Sequence, residues 1–185
     1  MSAPDFPRGE AAILSAVGAF LRALLPAGAV VVNAQQNKVP PPLSRNHSDP
    51  LNSSRPPGWC LLTPIGPERL TQDFSGYSQD FTKRAVQHVS KFEVQIDVFG
   101  ESAQEWAASA QIALRDPGFY DQFFPEGIRP IYADNPKQLN FVSDSSQFEK
   151  RWMMRAYFQY VPQLVFQSSG VTSVTVSPSS VDLIQ

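Results

Sequence analysis

Cysteine is nearly missing from this chain: Cys60 stands alone among 185 residues, so no intrachain disulfide can form. With His47 and His88 as the only histidines, no cluster has the spacing a structural zinc needs. A reducing compartment fits, and Cys60, inside Trp59-Cys60-Leu61-Leu62, reads as a small core group with no partner base. Charge of one sign is missing too. Fifteen Lys and Arg face 17 Asp and Glu, a net of −2, which gives no reason to propose a nucleic-acid clamp, although the balance leaves room for a local basic patch. No apolar run reaches the ~20 residues of a membrane span. There is no Gly-x-Ser-x-Gly elbow, no phosphate loop ending in Gly-Lys-Ser/Thr, no His-Glu-x-x-His and no paired-cysteine motif. No catalytic residue, metal or cofactor is therefore expected, and assembly or binding is the default role. What is present is the composition of a folded domain, 42% apolar and 17% charged, expected as a single unit over residues 1–185.

The N-terminus superficially resembles a signal sequence, an Ala- and Leu-rich run ending in Pro26-Ala27-Gly28-Ala29. Glu10 and Arg22 flank and interrupt that run. Ile13, Val17, Phe20, Leu21 and Leu24 fall at i, i+4, i+7, i+8 and i+11, the stripe of an amphipathic helix from about Gly9 to Leu25. Val30-Val31-Val32 is a short strand candidate. Then the composition changes: six of the 17 prolines lie between Asn33 and Gly58, among Asn and Ser residues and few apolar side chains. Such a segment cannot bury enough surface to offset its ordering entropy alone. It is expected to be an extended loop or arm at about 33–58, mildly cationic through Lys38, Arg45 and Arg55. The bland alternative is a tolerated surface insertion. Asn46-His47-Ser48 and Asn52-Ser53-Ser54 match glycosylation acceptors, and without a secretion signal they read as chance.

Regular structure resumes with a strand at Trp59–Thr63 ending at Pro64, followed by a turn region over Pro64-Ile65-Gly66-Pro67 with Glu68 and Arg69. From Val86 to Phe99 the pattern has period two, with Phe92, Val94, Ile96 and Val98 on one face and Lys91, Glu93, Gln95 and Asp97 on the other. Glu93 and Asp97 are about 13 Å apart along a strand, too far to share a cation, so they read as a solvated face. Ser102-Ala103-Gln104-Glu105 has the form of a capping box. Ala103, Trp106, Ala107, Ala110, Ala113 and Leu114 then line one side of a second helix, stopped by Arg115-Asp116-Pro117-Gly118. Phe119, Tyr120, Phe123 and Phe124, without interleaved basic residues, read as satellite core. Ile128–Ala133 is a short strand, and Gln147–Gln167 is a long one by its aromatic enrichment and Pro162. Val171–Val176 is expected as the last clear strand and Val181–Ile184 as a weaker tail. The whole is an α+β domain: a mainly antiparallel sheet, with room for a mixed pairing, two helices packed on one face, and the Pro-rich arm.

Phe92-Glu93-Val94-Gln95-Ile96-Asp97-Val98-Phe99-Gly100, the Ala-rich helix after it and Arg115-Asp116 together look like the central strand and helix of phage neck proteins of the tail-terminator group. Gly58-Trp59-Cys60-Leu61-Leu62-Thr63-Pro64, Ile131–Leu139, Arg151-Trp152 and Gln159-Tyr160-Val161-Pro162 stand in the matching order, so the resemblance spans about Gly9 to Pro162. It implies a structural virion protein of a tailed phage: a ring, commonly hexameric, that stops tail-tube growth and joins the tail to the head connector. The implied partners are other copies of the chain, the tail tube, with the sheath as a further candidate, and the head connector or completion protein. DNA would slide through the channel unrecognised, consistent with a near-neutral chain. The implied location is the virion neck, after assembly in the host cytoplasm, with no membrane involved. Subunit-contact candidates are Lys38, Arg45 and Arg55 on the arm, and Arg151 and Arg155 on the outward strand face, where two solvated arginines are an equal reading. A head-completion or tail-tube protein, a monomeric binding module and a small hydrolase or nuclease are the alternatives.

Overall fold

The computed structural model of the chain describes residues 9–34, 57–79, 82–123, 127–142 and 148–167. Helix α1 (Glu10–Leu24) occupies the span its apolar stripe predicts, with Gly9 and Leu25 as its caps. Strand β1 (Val30–Asn33) then pairs in parallel with β2 (Gly58–Arg69), Val30 opposite Trp59. Parallel neighbours cannot be joined by a tight turn, because the chain must travel back along the pair before the second strand starts. The sequence between the two strands is long enough for that return. Lys38, Arg45 and Arg55 lie outside the described residues, as does most of the expected arm.

The turn expected at Pro64–Arg69 is corrected by the structure. Strand β2 runs on to Arg69, with a register shift between Pro64 and Gly66 that makes Ile65 the extra residue of a bulge. Gly66 takes a φ of 136°, open to glycine, and β1 no longer flanks β2 here, so the prolines can turn their missing N–H to an unpaired edge. Strands β2, β5 (Ser90–Gly100) and β8 (Phe148–Tyr160) form the antiparallel centre of a six-stranded sheet. Two shorter strands share the far edge of β8: β6 (Ile128–Ala133) beside its C-terminal half and β7 (Lys137–Val142) beside its N-terminal half.

Helix α2 (Ala103–Arg115) buries Ala103, Trp106, Ala107, Ala110, Ala113 and Leu114, the six residues its spacing singles out. Ser102 is its N-cap, but the expected capping box is not made. With φ −90° and ψ 17°, Ser102 is too nearly helical to aim its hydroxyl at the free N–H groups of the first turn. Both helices and the inner side of the sheet, including Cys60, Leu62, Val94, Ile96, Met154 and Phe158, belong to one core cluster. The chain is therefore α+β with its helices on one face. Phe119 and Phe123 extend this core as read from sequence. They lie on and beside a 3₁₀ turn (Pro117–Gln122) and meet Phe20 at ring-centroid distances of 6.1 and 5.4 Å. Phe124 lies outside the described residues.

The sheet closes tightly where β2 begins. A Cβ on Gly58 would lie 2.7 Å from the Phe99 carbonyl oxygen and 2.7 Å from the Trp106 ring. Gly58→Ala is expected to destabilise the fold by about 2–3 kcal/mol, since backbone on one side and a buried indole on the other must both move. Urea unfolding followed by tryptophan fluorescence measures it, and an unchanged midpoint would contradict the packing described.

The period-two run expected as one strand is two. Strand β4 (Lys83–Gln87) is separated from β5 by His88-Val89, and the run after Tyr160 breaks at Val161-Pro162 before resuming as β9 (Gln163–Gln167). The breaks face each other in the ladder: Ser90 is opposite Tyr160 and, three residues further on each strand, Gln87 is opposite Gln163. The register is thus unchanged across an interruption at which Pro162 has no N–H to donate. Strand β3 (Phe74–Tyr77), absent from the sequence reading, pairs with β4 and completes a three-stranded sheet, β3-β4-β9. None of its residues joins the core cluster, so it is an extension of the long central ribbon beyond the helices. The strand expected at Val171–Val176 and the tail at Val181–Ile184 lie outside the described residues.

Candidate assembly surfaces

The sheet face turned away from the helices carries alternating charge. Strand β5 presents Glu93 and Asp97 there, four residues apart, and β8 presents Arg155 and Arg151 with the same spacing in the opposite direction. Each arginine is diagonal to its carboxylate across the ladder, the separation long side chains bridge. Arg151 places Nε 3.0 Å and Nη2 2.9 Å from Asp97 Oδ1, and the Gln95 amide donates to Oδ2 at 2.8 Å. Arg155 Nη1 lies 3.1 Å from Glu93 Oε1. On the neighbouring pair of strands, Lys91 meets Glu68 directly across.

These contacts correct the solvated-face reading of the acidic pair. The Asp97 side chain is 1% exposed and Glu93 19%, because the β8 guanidiniums lie over them. At the Gly58 end of this face Trp59 stacks on Phe99 with ring centroids 3.8 Å apart and planes within 2°, and the Arg151 guanidinium sits 5.6 Å from the Phe99 centroid. Arg151 is therefore held by a buried carboxylate and an aromatic ring together, while Arg155 is 47% exposed although the Glu93 Oε1 it approaches is buried. Of the five candidate contact residues, the structure brings these two onto one face. Lys38, Arg45 and Arg55 lie outside the described residues.

Sequence reasoning missed the extension. Strand pairing there aligns Tyr77, Arg84 and Phe166 as one row across β3, β4 and β9, and all three are exposed. The adjacent row on the same face is Ser75, Val86 and Leu164. Ile65, Leu70, Phe74 and Val161, around the root of the extension, are also exposed large apolar residues. At the root Asp73 Oδ1 lies 3.0 Å from Arg69 Nη2 and 3.1 Å from His88 Nδ1. The signal for this strand was the short Phe74–Tyr77 segment followed five residues later by Lys83–Gln87, which is recognisable only once Val86 is separated from the strand after it.

Cys60 is buried on the core side, and that burial, with the Asp97 charge as a lesser cause, pushes its thiol up to about 12. The native thiol is expected to resist a disulfide reagent at pH 8 and to react only on unfolding; fast labelling of folded protein would contradict the burial. The unfolded thiol ionises near its ordinary value while the folded one stays protonated. This group therefore contributes a loss of stability as pH rises from that ordinary value towards 12. Among the described residues no group of three or more His, Cys, Asp or Glu is placed to hold a metal. No helix there is long and apolar enough to cross a membrane.

No curated protein matches the chain. The family model described as "Phage neck terminator protein" matches residues 11–182, which takes in both sheets and the charged face. By that match the chain belongs to the phage neck terminator family, and is a structural protein of the phage neck.

Proposed function

We propose that the chain forms a ring, hexameric as is common among the proteins it resembles, that caps the finished tail tube and joins the tail to the head connector. The observation that carries this reading is the family match over nearly the whole chain, residues 11–182. The architecture suits it: a ring subunit needs two lateral faces and two axial ones. Here the described residues offer a charged sheet face, a three-stranded sheet outside the core and open strand edges. In this reading Lys38, Arg45 and Arg55 on the Pro-rich connection reach a neighbouring subunit or the adjacent ring. Arg155 contributes to a lateral contact through its half-exposed guanidinium, and Arg151 stiffens the same face from within. DNA passes through the channel without specific recognition, in keeping with a net charge of −2. The protein works by assembly in the host cytoplasm and ends in the virion neck, beside the tube and, as a further contact, the sheath, with no catalytic step.

Complementation of a phage that lacks the gene tests this. Extracts should contain DNA-filled heads and separate, uncapped tails, and adding the purified chain should restore joined, infectious particles. Heads that leak DNA, with tails normally capped, would replace this reading with a head-completion role.

A further inference from the structure

The three-stranded extension presents a row in which a cation stands between two aromatic rings. Arg84 is directly opposite Tyr77 on one side and Phe166 on the other, with Tyr77 56% and Phe166 42% exposed. Tyrosine, arginine and a large ring at the centre of a small sheet face are the residue types that dominate protein–protein hot spots. A small sheet outside the core also gains independent stability from a covered face. The outer face of α2 has the complementary chemistry. Glu105, Ser109 and Ile112 fall at i, i+4 and i+7, all exposed, and among the described residues Ile112 is the most exposed large apolar side chain at 66%. One surface is a cation between rings; the other is an apolar side chain one turn beyond a small serine that separates it from a carboxylate.

The two cannot meet within one molecule. Arg115 Nη2 donates to the Ala133 carbonyl, Ala133 pairs with Ala156 and Ala156 with Val94, so the C-terminal end of α2 lies level with Val94, roughly 33 Å of ribbon from Arg84. A contact between such distant, unlike patches is heterologous, the kind that closes into a ring when copies repeat it. We propose that the Tyr77–Arg84–Phe166 row of one subunit docks on the Glu105–Ser109–Ile112 stripe of α2 in the next copy of the chain. Arg84 lies over Ser109 and meets Glu105, and a flanking ring packs on Ile112. This rests on the ring reading above and identifies its lateral contact.

Charge reversal with sedimentation velocity tests it. Arg84→Glu and Glu105→Arg, each at an exposed position, are expected to raise the concentration for half-assembly at least about tenfold, and the double variant to restore most of that loss. Far-ultraviolet circular dichroism identical to the native chain shows that the subunits remain folded. Single variants that assemble like the native protein, or a double variant no better than either, overturn the contact while leaving the ring reading standing. A native chain that stays monomeric at every concentration, and on tail tubes, overturns both.

Discussion

Phe123→Ala is expected to lower stability by about 3–5 kcal/mol, a large part of the roughly 5–15 kcal/mol that holds a domain of this size. Phe123 is 0% exposed and stands between α1 and the sheet, 5.4 Å from the Phe20 ring and 5.7 Å from the Phe158 ring. Its removal leaves a cavity lined by two other rings, one on a helix and one in a central strand. Neither can collapse into the space without moving its whole element, so both the transfer loss and the cavity cost apply. Phe123→Leu, which keeps most of the volume, should cost about 1–2 kcal/mol. Urea titration of the three proteins gives the values. An alanine variant within 1 kcal/mol of native would mean, at about the resolution of such titrations, that the 3₁₀ turn does not contribute to the core.

Arg151→Met is expected to cost about 3 kcal/mol, while Asp97→Asn should cost about half as much. The asymmetry comes from burial. The Arg151 side chain is 25% exposed and can turn to water when its partner is neutralised, whereas Asp97 is 1% exposed and would keep a buried charge with only the Gln95 amide on Oδ2. The Arg155–Glu93 pair has the same place in the ladder but is 47% and 19% exposed, so Arg155→Met should cost less than Arg151→Met, about 1–2 kcal/mol, the remainder coming from the buried Glu93 Oε1. Equal losses for Arg151→Met and Arg155→Met in thermal or urea unfolding would contradict the account of the charged face.

Most of the inner face was legible because it follows simple periods. The helix stripes at Ile13–Leu24 and Ala103–Leu114, and the alternation through Phe92–Val98, each predict a face that the structure buries. The charged face was only half legible. Glu93 and Asp97 have the same spacing as Arg151 and Arg155, but that match acquires meaning only when β5 and β8 are known to be antiparallel neighbours with Glu93 opposite Tyr157. Strand order is a long-range property that local patterns do not encode. The same limit hid the extension: His88-Val89 looks continuous with the alternation on both sides, and its interruption is set by Pro162 on another strand. Proline misled in the other direction at Pro64, which reads as a stop but lies in a bulge beside an open edge.

Negative-stain microscopy of tail tubes growing with and without the purified chain tests the central claim most directly. The account predicts tubes that stop at a defined length, with a ring of extra density on one end only. Tubes of unchanged length, with the chain bound to neither end, would contradict it.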